Sequence, residues 1–506
     1  MKHLFLFCIV FMFSLMNINA QGQGPLLQLT KEQMQEDFDY LYDKLERVNT
    51  RFEITKKVTG YDILSDVKGY RKYIDTLLTS TEFFDLLDRA LIACKDQHIS
   101  LTGGYPYRNL DTTLIKEAAN ITWNVFSEYD KIPKYAKRNS SVDPFSMYYI
   151  DGKYYTPDIY DRWEENLQIP AGAQIMEING MSIYDYDKNW LIPLNRSARY
   201  DHERKRYYSK TLLSPQRTGQ GEDFNMTYLY DGEIKKVEIK PHRMKFYKQS
   251  GHVIYRVDYY DKDGVLYIRL PRMNDSKMDF YKEEIAKYKN KDIRKIVIDV
   301  RGNGGGSDLI WMEILSSIIK DEIKSPQTFY FRDNDMVKDY FKSIKKDFSS
   351  YKMSDKKLIV GSDTLFCGHD TRDIVPSENT LGYTGKIYVL TDQNCYSSAL
   401  GLISFSNQES QLYTVGENLG YFGGQGIVPF YFILPNSKLI FRVECSLDGS
   451  GVKEGNWADY YHYKTEVPVN WTIEETMRNY KYEGELYSED YLYNIDPLFK
   501  KVLSLP

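Results

Sequence analysis

The sequence predicts an α/β fold built on a parallel sheet, and two stretches and their order predict it. Lys295-Ile-Val-Ile-Asp-Val-Arg-Gly-Asn-Gly-Gly-Gly-Ser307 runs β-branched residues into a Gly cluster, and a helical pattern follows at once over 308–320. Lys386-Ile-Tyr-Val-Leu-Thr-Asp-Gln-Asn-Cys-Tyr-Ser-Ser-Ala-Leu-Gly401 repeats the order of strand, turn and helix. Two such units in succession imply a right-handed crossover and therefore parallel strands. The loops of a parallel sheet open at one end, where α/β proteins place their sites.

A chain of 506 residues is too long for one ordinary domain, so two or three are expected. The net charge is −5, with acidic and basic residues interspersed and no basic domain standing out, which argues against a nucleic-acid partner. The 45 tyrosines scatter without a repeat and read as amphipathic surface and edge-strand residues. Residues 1–20 read as a secretory signal: Lys2 and His3, an apolar run from Leu4 to Met16, then Ile18-Asn-Ala20 before Gln21. The apolar run is shorter than the roughly 20 residues of a membrane span, and no later segment is apolar enough to span one. An exported protein, periplasmic or extracellular and not integral to a membrane, is the expectation. Cys94, Cys367, Cys395 and Cys445 would remain after cleavage. Their spacing fits neither a disulfide framework nor a zinc site, and four buried thiols are at least as compatible with it.

Taken in order, residues 21–110 form a helical region. Thr30 and Gln33 can make a capping box ahead of Met34, Phe38, Leu41, Leu45 and Val48 at helical spacing. A second helix over about 81–95 ends in Asp96-Gln-His-Ile-Ser-Leu101, which leaves His98 just before a short strand. Residues 111–163 read as strand-rich connecting structure. A β-rich unit occupies 164–245, with Asn179-Gly180 and Asp231-Gly232 as turns and a polar insertion around 196–220. The α/β texture covers 255–475. Within it the lysine-rich stretch 333–381 reads as a solvated insertion, and 430–445 as a hairpin. A polar tail, 476–506, completes the chain.

A strand that ends in glycines before a helix N-terminus converges free amides and a positive dipole on one point. Such a point stabilises either a bound phosphate or a charge that develops during a reaction. The stretch lacks the Gly-Lys-Ser/Thr of a P-loop and the spaced glycines of a dinucleotide fold, which disfavours phosphate. Ser397 falls where the second turn gives way to its helix. Taken alone it is a plain N-cap serine; a neighbouring Gly-rich donor, an isolated histidine and a downstream Gly-rich loop point instead to a nucleophile.

Pro170, Gly172, Ile175, Ile178, Asn179 and Gly180 form a pattern that resembles a PDZ domain. Asp299-Val-Arg-Gly-Asn-Gly-Gly-Gly306, the segment 391–399, and Val415-Gly-Glu417 with the loop 420–426 together resemble the S41 serine peptidases. That family includes the C-terminal processing and tricorn-type peptidases. The resemblance covers roughly 166–469. It implies a ClpP/crotonase-like catalytic core with a PDZ-like domain and an N-terminal helical region, and hydrolysis of polypeptides, in particular unfolded or extended segments, without metal or cofactor. It makes Ser397 the nucleophile, with the amides of Ser398 and of Gly304 or Gly305 as the oxyanion hole. The loop 420–426 has no lysine, and Lys438 lies in a predicted hairpin strand, so the Ser–Lys pairing of the processing branch is disfavoured. The tricorn-type branch uses a histidine from the region before the PDZ unit, which His98 resembles. Glu454 best resembles the late glutamate that would orient the ring, with Glu466 and Asp96 as alternatives. Leu400 stands where the family commonly has an acidic residue. This leaves a catalytically impaired, peptide-binding relative as the alternative.

Overall fold

The computed structural model describes residues 28–77, 79–102, 118, 120–122, 124–125, 145–161, 168–212, 223–240, 244–246, 253–343, 352–420, 429–453, 455–461 and 463–506. The signal segment, the loop 421–428, Glu454 and part of each polar insertion lie outside them.

Helix α1, Lys31–Val48, starts at Thr30, whose hydroxyl accepts from the Gln33 amide while the Gln33 side chain accepts from the Thr30 amide. Its apolar stripe, Met34, Phe38, Leu41, Leu45 and Val48, is buried. Helix α2, Ser80–Ile92, has the same reciprocal cap from Thr79 and Glu82. The turn that follows leads into β1, Ser100–Leu101.

An antiparallel sheet comes next in the chain. It runs from β2 (Tyr148–Ile150) through β3 (Lys153–Tyr155), β4 (Gln174–Ile178) and β5 (Phe224–Tyr230) to β6 (Glu233–Ile239). The Asp231-Gly232 turn joins its last two strands with both residues at positive φ.

The central sheet contains β7 (Arg256–Tyr260), β8 (Val265–Arg269) and β9 (Lys295–Asp299). Helix α3, Asp308–Ser316, follows β9. Next in the chain are the long strands β10 (Ile323–Arg332), β11 (Lys352–Val360) and β12 (Asp363–Ile374). The chain then returns to the central sheet as β13, Ile387–Thr391, followed by helix α4, Ser398–Ser406, and β14, Leu412–Gly416. Hairpin strands β15 (Pro429–Ile433) and β16 (Ile440–Glu444), then β17 (Leu447–Asp448) and β18 (Val467–Pro468), complete the strands used below.

The central sheet has the order β7-β8-β9-β13-β14-β18, parallel except for the antiparallel pair β7–β8. Ile296, Ile298 and Val389 face α3 and α4 on one side, where Trp311, Ile314, Leu402 and Phe405 cover them. Val297 and Leu390 face the other side. Burial on both faces explains why these strands read as continuous apolar runs rather than alternating ones.

Three expectations are corrected. The lysine-rich stretch is no solvated insertion: β11 pairs with β12, β12 with β10 and β10 with β17 in a four-stranded antiparallel sheet. Its outward lysines conceal a two-residue periodicity whose inward members, Leu358, Val360 and Leu365, are buried. The polar tail is helical at Ile473–Tyr480, Glu489–Asn494 and α5, Pro497–Ser504. Leu498, Phe499 and Val502 of α5 cover the second face of the central sheet. Lys438 lies in the turn between β15 and β16 at φ 57°, not within a strand. Among the described residues Cys94, Cys367, Cys395 and Cys445 are buried and form no disulfide.

Candidate active site

Strands β9 and β13 are direct parallel neighbours, with Asp299 beside Leu390, so their C-terminal loops leave the sheet together. The Gly loop is pinned from several sides. Met273 N donates to Gly305 O at 3.1 Å, and Ser307 N donates to Met273 O at 2.9 Å. Gly305 N donates to the buried Asn303 Oδ1 at 2.8 Å, and Tyr396 N donates to Asn303 O at 3.0 Å. A Cβ on Gly305 would fall 2.5 Å from the Ser397 Cβ and 3.0 Å from the Ser398 nitrogen, at φ +103°. Only glycine lets this loop approach the serine so closely.

Ser397 is held at φ 55° and ψ −123° at the start of α4, and its side chain makes no capping hydrogen bond. The plain N-cap role therefore does not apply to it. Ser398 donates its hydroxyl to Asp308 Oδ1 at 2.6 Å, joining the two helices that follow the two loops. Among the described residues the amides of Gly304 and Ser398 have no hydrogen-bond acceptor, whereas that of Gly305 is engaged with Asn303. The exposed Gly304 and the first turn of α4 thus present N–H groups beside Ser397.

His98 reaches this place from the turn after α2, held by the pairing of β1 with β16 (Ser100 with Arg442). Its backbone N–H donates to Asp96 Oδ1 at 2.8 Å, and Arg51 donates to Asp96 Oδ2 at 2.8 Å. The imidazole lies against the Tyr396 ring with centroids 4.8 Å apart, and His98 Nδ1 is 3.2 Å from the Tyr396 hydroxyl. That hydroxyl is 2.6 Å from Asp96 Oδ1. Burial pushes the imidazole pKa down to about 4, against the opposing pull of the Asp96 carboxylate. Burial alone would raise Asp96, but Arg51, His98 and the Tyr396 hydroxyl hold it below the usual carboxylate range.

The structure therefore brings His98 and Asp96 against Tyr396, the residue before Ser397, with no hydrogen bond between His98 and Ser397 themselves. Glu466 is elsewhere: it accepts from Thr414 N at 2.9 Å at the far edge of the central sheet. Leu400 is buried in the core under α4. Tyr396, Arg51 and the fully buried Glu444, whose charge acts on His98, went unnoticed in the sequence. Nothing marks Tyr396 among so many tyrosines except its place next to Ser397. Two clefts of about 470 and 210 Å³ open beside Gln393 and Glu417, toward β2–β3 and Trp471; neither Ser397 nor His98 lines them.

Among the described residues no three His, Cys, Asp or Glu side chains are grouped to hold a metal ion, and no helix is long and apolar enough to cross a membrane. A parallel sheet that delivers a Gly loop and a strained serine to one point defines a hydrolase-like α/β class. Residues 264–448 match the model of peptidase family S41, so this part of the chain is a core of the S41 serine-peptidase type. The mature form of CPAF is similar in structure, with a TM-score of 0.56 at 13% identity over 94% of this chain and 98% of that one. CPAF complexed with lactacystin gives 0.57 at 12% identity over 94% and 99%. At such identity the likeness extends to the α/β fold alone. No curated protein matches the chain.

Proposed function

We propose that the chain is an exported serine endopeptidase that cleaves unfolded or extended polypeptide segments through an acyl-enzyme. Ser397 Oγ attacks the substrate carbonyl carbon while its proton passes to His98 Nε2. The amides of Gly304 and Ser398 receive the negative oxygen, and Gly305 supplies the close approach that brings them together. His98 then gives the proton to the leaving amine, and water, activated by the same ring, releases the acid from Ser397. Glu454 is the family-like candidate for orienting the ring, beside Asp96. The unit 164–245 acts as a PDZ-like peptide binder on this reading, and residues 1–20 direct export.

One observation carries the reading: a non-glycine residue, Ser397, held at positive φ with an uncommitted hydroxyl against the Gly loop. Nucleophiles on sharp strand-to-helix turns carry such strain. A fluorophosphonate probe is expected to label Ser397, and Ser397→Ala to lose about 10³-fold or more of its activity on an unfolded protein. Equal digestion by Ser397→Ala and wild type would end the assignment. Leu400, together with the missing Ser397–His98 hydrogen bond, favours one other reading, a peptide-binding relative without hydrolysis. No labelling combined with affinity for extended peptides would select it.

A further inference from the structure

The Asp96–His98 pair is not in direct hydrogen-bond contact. Asp96 Oδ1 and His98 Nδ1 are 3.8 Å apart, and the Tyr396 hydroxyl stands between them at 2.6 and 3.2 Å. A phenol has one proton to give. Asp96 is ionised, accepts from Arg51 and from the His98 backbone, and can only accept from Tyr396 as well. The phenolic proton therefore points at Asp96, since the reverse would set two acceptor oxygens 2.6 Å apart. What faces His98 Nδ1 is then a lone pair of the phenol oxygen. That contact is favourable only when Nδ1 carries the ring hydrogen.

We infer that Tyr396 is a positioning residue: it relays Asp96 to His98, fixes the imidazole as its Nδ1–H tautomer and leaves Nε2 with the free lone pair. The inference rests on the reading of His98 as the base and supplies what that reading lacks, a described group that orients the ring. A carboxylate touching the ring directly would do the same task by charge; here a neutral phenol does it by hydrogen-bond direction. The stacking of the two rings fixes the imidazole plane at the same time. Tyr396 also precedes Ser397 in the chain, so a single turn carries both the nucleophile and the group that sets its base.

The test is direct observation of the tautomer by nitrogen NMR on protein with labelled histidine, the chain having only seven. Wild type and Ser397→Ala are expected to show His98 predominantly Nδ1–H. Tyr396→Phe keeps the ring stack but removes the relay. It should shift His98 toward Nε2–H and lower kcat by about 10- to 100-fold with little change in KM. Two results would overturn the relay: Nε2–H in wild type, or an unchanged tautomer in Tyr396→Phe. Loss of the Nδ1–H form in Glu454→Gln but not in Tyr396→Phe would transfer the role to Glu454. Nε2–H in the wild type overturns the relay even where a variant fails to fold. Full activity in His98→Ala would instead refute the base reading, which the tautomer measurement does not assume.

Discussion

At the scale of single residues, Ser397 and His98 are both held against their ordinary preferences. A backbone at φ 55° and ψ −123° costs a non-glycine residue on the order of 1–3 kcal/mol, which the pinned Gly loop and α4 must offset. For His98 the cost falls on the charged form. Burial favours neutral imidazole and lowers its pKa to about 4. The sign follows: the contribution of this group to stability is complete above the unfolded value near 6.5 and is lost as pH falls from there toward 4. On the proposed reading of His98 as the base, which must be neutral to accept a proton, burial keeps it competent through the mildly acidic range. The acid limb of kcat/KM on a fluorogenic peptide is therefore expected well below the ordinary histidine range, with activity largely retained near pH about 5.5. A limb at the ordinary histidine value would mean that the ring is hydrated in the resting enzyme.

At the scale of elements, the most recognisable motif serves two purposes. Gly304–Gly306 shape the loop beside Ser397, whereas Asp299 and Arg301 tie the sheet to the last helix. Arg301 donates to Asp299 Oδ2 and to Asp496 Oδ2, each at 2.6 Å. Asp496 Oδ1 in turn caps α5 through the amides of Leu498 and Phe499. Burial would raise Asp299, yet Arg301, Arg269 and the Tyr267 hydroxyl pull it down to about 2. Removing one partner from such a cluster strands a buried charge. Asp496→Ala is expected to lower unfolding stability in urea by about 3–5 kcal/mol. Asp496→Asn, which keeps the cap, should cost less. An Asp496→Ala protein within about 1 kcal/mol of wild type would show that α5 is held by its apolar face alone.

At the scale of the whole molecule, the candidate site is assembled from distant parts of the chain. The loop that carries Ser397 belongs to the central sheet, and His98 follows the N-terminal helices. Their relative position depends on α1, on the hairpin β15–β16 and on β1 at its edge, which share one core. Asp37 of α1 clamps the hairpin turn by accepting from Asn436 N at 2.7 Å and Ser437 N at 2.8 Å. Asp37→Ala leaves both donors without their acceptor and should destabilise the protein by roughly 2–3 kcal/mol. Because β16 carries β1 and hence His98, activity should fall as well, although Asp37 itself contacts no residue of the candidate site. Unchanged melting and unchanged kcat in that variant would separate the hairpin from the site.

By itself, the sequence determined the α/β core, the Gly loop and the position of Ser397. It could do so because β-branched runs, glycine clusters and caps act on the backbone within a few residues of themselves. It also pointed to His98 and Asp96, through the family resemblance rather than through any local pattern. The lysine-rich strands 352–374 were illegible because their outward charges mask the inward alternation, and α5 because its burial depends on a sheet assembled from distant strands of the chain. Only the tertiary structure placed Tyr396 between Asp96 and His98, across 300 and 298 positions of chain. Local chemistry fixes how a turn bends; which side chain meets it from the other end of the molecule is decided by packing.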